Sequence, residues 1–218
     1  MPKVSYVYDP LCGWCYGFVP ALRHFVDTHP DIEIDVVPAG LIRGDRVGPY
    51  GDMLDYISKA APKMTAVTGQ PVGEAFFDMM RQDKTPMSIS APPSLAVMNM
   101  KALTSPKNVV RFAEALLVEH FMHGRDLNAA KTYDDLCDTL DLPRLNTAEI
   151  VIATEDHPTV AKTYQHALDL GVTSYPTSIV WDDAGQNRGA ITSIYDPDAF
   201  ASRVRQLLGT QQVPHTIS

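Results

Sequence analysis

The chain has 218 residues, 45% of them hydrophobic, and a formal charge of -8 at pH 7, with a pI near 5.2. That length suits one large domain, or a domain carrying an insertion, with enough apolar content to bury a core. The acidic balance argues against nucleic acid as a partner, since neutralising phosphates takes clustered Lys and Arg. No apolar run approaches the roughly twenty residues of a spanning helix.

Met1-Pro2-Lys3 leads directly into Val4-Ser5-Tyr6-Val7-Tyr8, an apolar, β-favouring run, without the pattern of a signal peptide. Next comes Cys12-Gly13-Trp14-Cys15, followed by Tyr16, Phe18, Val19, Leu22, Phe25 and Val26 at helical spacing. The cysteine pair therefore sits at a strand-to-helix junction. Two cysteines separated by two residues lie one helical turn apart, close enough to join and part without backbone movement. The unpaired amides and positive dipole of a helix N-terminus favour thiolate over thiol, which marks Cys12 as the attacking sulfur.

A second strand is expected over Ile32 to Val37, closing at Pro38-Ala39-Gly40, which makes a parallel β-α-β unit. From Gly44 the pattern turns helical with almost no strand signal. Helices are expected over Asp52 to Ala61, Gly73 to Asp83, Pro92 to Leu103, Pro106 to His123 and Tyr133 to Leu140, with a short piece near Thr147. Ser105 is placed to cap the helix at Pro106, and Thr132 with Asp135 resembles a capping box. A helix over Asp156 to Leu170 stops at Gly171. A hairpin follows, with Ser178 to Trp181 and a run around Ala190 to Ile194 flanking Asp182-Asp183-Ala184-Gly185. Asp196-Pro197 opens a last helix that ends at Gly209.

A β-α-β unit with Cys-x-x-Cys at its first junction, a helical block and then α-β-β-α resembles the thioredoxin fold with a large all-helical insertion, as in the DsbA-like family. The likeness implies an α/β protein with a mixed central sheet. Residues 1–43 and 156–211 would be the two parts of the thioredoxin fold, 44–155 the insertion and 212–218 a polar tail. Pro20 matches a proline found inside the active-site helix of many thioredoxins. Gly171-Val172-Thr173-Ser174-Tyr175-Pro176-Thr177 resembles the family's cis-proline loop, which implies that Tyr175 and Pro176 flank Cys12 and offer a strand edge to a partner's chain. The opening Tyr8-Asp9-Pro10-Leu11-Cys12-Gly13-Trp14-Cys15-Tyr16-Gly17 is most similar to the FrnE-related intracellular disulfide isomerases. Many relatives carry an acid six positions before the first cysteine; here that position is Tyr6, and Asp9, on the loop, is the acid nearer the motif.

The activity implied is a thiol–disulfide oxidoreductase or isomerase acting on protein or peptide disulfides. Cys12 would be the nucleophile and Cys15 the resolving cysteine, with Gly13, Trp14, Tyr175 and Pro176 tuning or binding. No cofactor beyond the dithiol is expected, glutathione being a possible electron partner, and three cysteines in a chain this long fit a reducing, cytoplasmic setting. Two alternatives stand beside this reading. One is a glutathione-dependent isomerase or transferase of the kappa-class type, which would lack the second cysteine; the other is a peptide-binding chaperone with an incidental dithiol.

The remaining candidates have plainer readings. Cys137 fits a small buried hydrophobe better than a third redox thiol. His120 and His123 fit partners of a helix's terminal carbonyls better than metal ligands. Trp14 is expected as an exposed substrate-facing surface. Eight methionines, Met53, Met64, Met79, Met80, Met87, Met98, Met100 and Met122, fall in the insertion, where core filling is favoured over a Met-lined peptide groove. The segment Thr85 to Pro93 reads as a loop that could border the site.

Overall fold

A computed structural model describes residues 1–82, 84 and 86–209. Asp83, Thr85 and residues 210–218 lie outside it, and with them the expected end of the Gly73 helix, the first residue of the bordering loop and the polar tail.

β1 (Lys3–Tyr8) leads into α1 (Gly13–Thr28), which returns through β2 (Glu33–Pro38). The sheet has the order β2-β1-β5-β6, with β5 at Thr177–Trp181 and β6 at Asn187–Thr192. β1 pairs in parallel with β2, while the β1–β5 and β5–β6 pairs are antiparallel. Central β1 is buried on both faces, which explains why it reads as an unbroken apolar run rather than an alternating one. Val4, Tyr6 and Tyr8 enter the main core with α1 and α9 (Pro197–Leu208). Val7 faces the other way, with Val37, Ala39, Ala167, Val172 and Ile179, under α8 (Pro158–Asp169). Phe18, Phe25 and Phe200 lock α1 to α9 through edge-on rings 4.9 and 5.3 Å apart.

Between β2 and α8 lie α2 (Leu54–Thr68), α3 (Glu74–Met80), α4 (Ala91–Leu103), α5 (Pro106–Phe121), α6 (Ala130–Leu140) and α7 (Thr147–Ile150). The stretch also holds a two-residue ladder that its composition conceals: β3 (Gly48–Pro49) pairs antiparallel with β4 (Met87–Ser88). α2 does not stop before Pro62. The proline lies on the exposed side, where water can serve the carbonyl left without a donor, and the helix runs on to a left-handed cap at Gly69. Pro92 and Pro93 likewise fall in the first turn of α4 rather than in a loop, since a helix start needs no amide donor there.

Ser105 and Asp196 cap α5 and α9 with their side-chain oxygens. The Thr132–Asp135 capping box does not form. α6 begins earlier, after Ala129; Thr132 donates to the Asp126 carbonyl, and Asp135 is held by Arg125 and Lys131. Among the described residues no helix is long and apolar enough to cross a membrane.

Candidate active site

Cys12 is the residue immediately before α1, with extended backbone (φ -90°, ψ 114°), and Cys15 lies in the helix's first turn. The first-turn amides thus end at the outer sulfur, and no acidic side chain in that turn opposes them. Both thiols are free, with Cys12 6% exposed and Cys15 0%. Burial, followed by the hydrogen bond that the Cys15 thiol donates to Cys12, pushes the Cys15 thiol well above the ordinary thiol range. The inner sulfur is therefore a protonated reserve, and the outer one is the sulfur that reaches the surface.

The Tyr175–Pro176 peptide bond is cis. The Cys12 thiol lies 3.7 Å from the Tyr175 carbonyl oxygen, and the Tyr175 hydroxyl is 3.4 Å from the Ala39 carbonyl. Residues 163 positions apart thus meet at one sulfur. Gly13 leaves the N-terminal turn uncovered above Phe121. Trp14 is half-buried rather than fully exposed, because Tyr195 packs on it with ring centroids 5.5 Å apart.

Asp9 is the residue whose importance a linear reading underrates. It lies on the β1–α1 loop yet is wholly buried. Its carboxylate accepts from the Leu11 amide (2.9 Å), the Leu41 amide (2.7 Å) and the Ser90 hydroxyl (3.0 Å), while its carbonyl accepts from the Cys12 amide at 3.1 Å. Ser90 also accepts from the Ile42 amide. One carboxylate thereby ties the dithiol loop, the end of the first β-α-β unit and the start of α4. Burial pushes its carboxyl up, and the hydrogen bonds from Leu41, Leu11 and Ser90 pull it back only in part. Asp9-Pro10 beside the motif was the available signal; Ser90 is found only in three dimensions. Tyr195 is a second such residue. Burial, and then charge on Cys15 and Cys12, push its hydroxyl up to about 12, so it stays protonated.

A groove of about 550 Å³ opens at Cys12, Trp14, Leu41 and Tyr56 and is walled by Arg43, Arg46 and the backbone of Thr173 to Tyr175. Neither arginine pairs with a carboxylate among the described residues; Arg43 stacks on Tyr164 and Arg46 donates to the Leu41 carbonyl. In a chain carrying -8, two guanidiniums beside the Cys12 sulfur, without a carboxylate partner among the described residues, form a local anion-attracting site.

His120 does not bind its helix's terminal carbonyls as a surface cation. It is fully buried, its Nδ1 lies 3.1 Å from the Arg125 carbonyl beyond α5, and burial lowers it to about 4, so the ring is neutral. No cluster of three metal-ligating side chains occurs among the described residues. Cys137 is buried, its thiol pushed up by burial. Met64, Met79, Met80 and Met100 are core, and Met87 is exposed. Of the loop expected to border the site, Ser88 and Ser90 do so.

No protein-family model matches the sequence, and no curated protein matches it either. Solved structures do. The cytosolic disulfide reductase DsbM from Pseudomonas aeruginosa is 25% identical over 95% of this chain and 98% of that one, with a TM-score of 0.78. The same protein with GSH superposes at 0.75, at 24% identity over 95% and 99%. A candidate protein disulfide isomerase from Nitrosomonas europaea gives 0.73, at 20% identity over 95% and 96%. A 2-hydroxychromene-2-carboxylate isomerase shares the fold at 12% identity over 82% and 87%, with a TM-score of 0.57. The chain has a DsbA-like thioredoxin fold with a helical insertion.

Proposed function

We propose that the protein is a thiol–disulfide oxidoreductase that reduces protein or peptide disulfides, with glutathione as its small-molecule thiol partner. The observation that carries this reading is Cys12 at the N-terminus of α1, facing the carbonyl that precedes a cis proline, with Cys15 buried behind it. The Cys12 thiolate attacks one sulfur of the substrate disulfide; the other sulfur leaves as a thiolate and takes up a proton. Cys15, losing its proton, then attacks Cys12 Sγ, releasing the second substrate thiol and leaving a Cys12–Cys15 disulfide. Two glutathione thiols reduce that pair and depart as glutathione disulfide.

Arg43 and Arg46 support glutathione, whose carboxylates match the groove they line. The DsbM structure with GSH supports it from a second direction. Reduction is the direction we favour: no basic side chain lies between the two cysteines or in the first turn of α1, Arg43 and Arg46 are assigned to glutathione, and the buried Asp9 charge opposes a thiolate on Cys15. That direction suits a reducing, cytosolic setting. Cys15 distinguishes this reading from the kappa-type alternative, which has no use for a second thiol.

The test is glutathione-dependent reduction of hydroxyethyl disulfide and of a cysteine peptide disulfide. Cys12→Ser is expected to lose at least about a hundredfold in kcat/KM, and Cys15→Ser to accumulate a mixed disulfide on Cys12 that intact-mass measurement detects. Full activity of Cys12→Ser would refute the assignment. Client binding that survives loss of both cysteines, in a wild type that reduces no disulfide, would favour the chaperone reading.

A further inference from the structure

A second recess meets the Arg43 groove at Cys12 and runs the other way, past Leu11, Gly13 and Trp14, into the helical insertion. Its volume is about 180 Å³. Ile57, Ala61 and Met64 on α2 form one wall, with Val72, Phe76 and Phe121 closing the end. No Asp, Glu, Lys or Arg lines it. Its single imidazole, His120, is neutral, with Nδ1 against the Arg125 carbonyl and a buried Nε2 that has no partner.

We propose that this recess is a specificity pocket for one uncharged apolar side chain, branched aliphatic or aromatic, that neighbours the substrate cysteine attacked by Cys12. The inference rests on the reading of Cys12 as nucleophile and adds what surrounds the substrate sulfur. Three observations carry it. The recess opens at the nucleophile itself, so whatever fills it is joined to, or lies beside, the sulfur under attack. Its size matches a single side chain: a cavity of about 150 Å³ lined by Leu, Ile and Phe holds benzene. Its walls give a charged group no counter-ion, only the neutral dipoles of Tyr50, Ser88 and His120, so an ionised side chain would lose more hydration than it regains.

The two recesses then divide a glutathione mixed disulfide between them. Cys12 attacks the peptide sulfur, the Cys12–peptide disulfide forms as the peptide–glutathione bond breaks, and glutathione leaves through the arginine-lined groove and takes a proton. Cys15 then attacks Cys12 and frees the peptide thiol, and two further glutathione thiols re-reduce the enzyme pair.

The test uses short peptides with one cysteine, supplied as glutathione mixed disulfides, whose neighbouring residue is Leu, Phe, Ala or Asp. The full-length protein should turn over the Leu and Phe peptides with kcat/KM at least about tenfold above the Ala peptide, the difference residing in KM, and the Asp peptide below Ala. Ala61→Phe fills the recess and should bring the Leu-to-Ala ratio to about one. Ile57→Ala removes part of the wall from a half-buried position and should lower the same ratio several-fold if Ala61→Phe melts too early to assay. Equal turnover of all four peptides, or a Leu preference unchanged in a folded Ala61→Phe, would overturn the pocket. If hydroxyethyl disulfide is reduced while the peptides are not discriminated, only the pocket fails; if the wild type reduces no disulfide, the oxidoreductase reading fails first.

Discussion

Asp9 places a full negative charge, or a proton in its stead, within a few residues of both thiols, and three hydrogen-bond donors converge on it. Its proximity raises the Cys15 thiol through repulsion, although burial and the Cys12 bond do more. Asp9→Asn keeps the shape but turns an amide NH2 toward donors that need an acceptor. The expected cost is about 2 kcal/mol, the range for losing a charge-assisted buried hydrogen bond. The same change should let Cys15 titrate at lower pH, which thiolate absorbance in a Cys12→Ser background would follow. A stability loss with unchanged Cys15 titration would leave Asp9 a purely structural residue.

At the scale of elements, α5 packs on α1 and β2 and carries Glu114, 4% exposed, with Oε2 3.2 Å from Arg23 Nε and Oε1 buried without a partner. Burial outweighs the Arg23 interaction and raises the carboxyl to about 7. The folded state therefore holds a proton that the unfolded chain releases near pH 4.5. Glu114's contribution is most favourable below that pH and declines as pH rises through 7. Its full span is about 3 kcal/mol at the upper end. Glu114→Gln should raise the melting temperature relative to wild type at pH 8 and change it little at pH 5. An equal shift at both values would mean that the carboxyl ionises normally.

How far such features were legible in the chain follows from which forces set them. The dithiol and the order of the main elements are written in local spacing and turn chemistry, so they could be read directly, whereas the cis-proline loop was legible only through its resemblance to the family's loop. Glu114, Ser90 and Tyr195 acquire their environments only through tertiary packing, and nothing in their neighbours' identities marks them. Pro62 misleads because exposure decides whether a proline ends a helix. The β3–β4 ladder is invisible because two Gly-Pro residues have no strand propensity and pair only where the chain is brought back. Arg43 and Arg46 carry no signal in the chain, and only the fold sets them beside Cys12 without acidic partners among the described residues.

For the molecule as a whole, the thioredoxin part supplies a dithiol at a helix N-terminus, and the insertion supplies the ground on which a substrate is sorted. That a 12%-identical isomerase shares the architecture means that the fold alone does not set the chemistry; the proposed chemistry rests on Cys12 and Cys15 together. The central claim is that this pair cycles and that its equilibrium favours reduction of substrates. Equilibrating the purified protein against glutathione buffers and counting trapped Cys12 and Cys15 thiols measures it most directly. The account predicts a potential near thioredoxin's, about -270 mV. A value near that of the strong oxidants, about -120 mV, would show that the helix amides and the two arginines hold the Cys12 thiolate strongly enough to favour oxidation of substrates, and would contradict it.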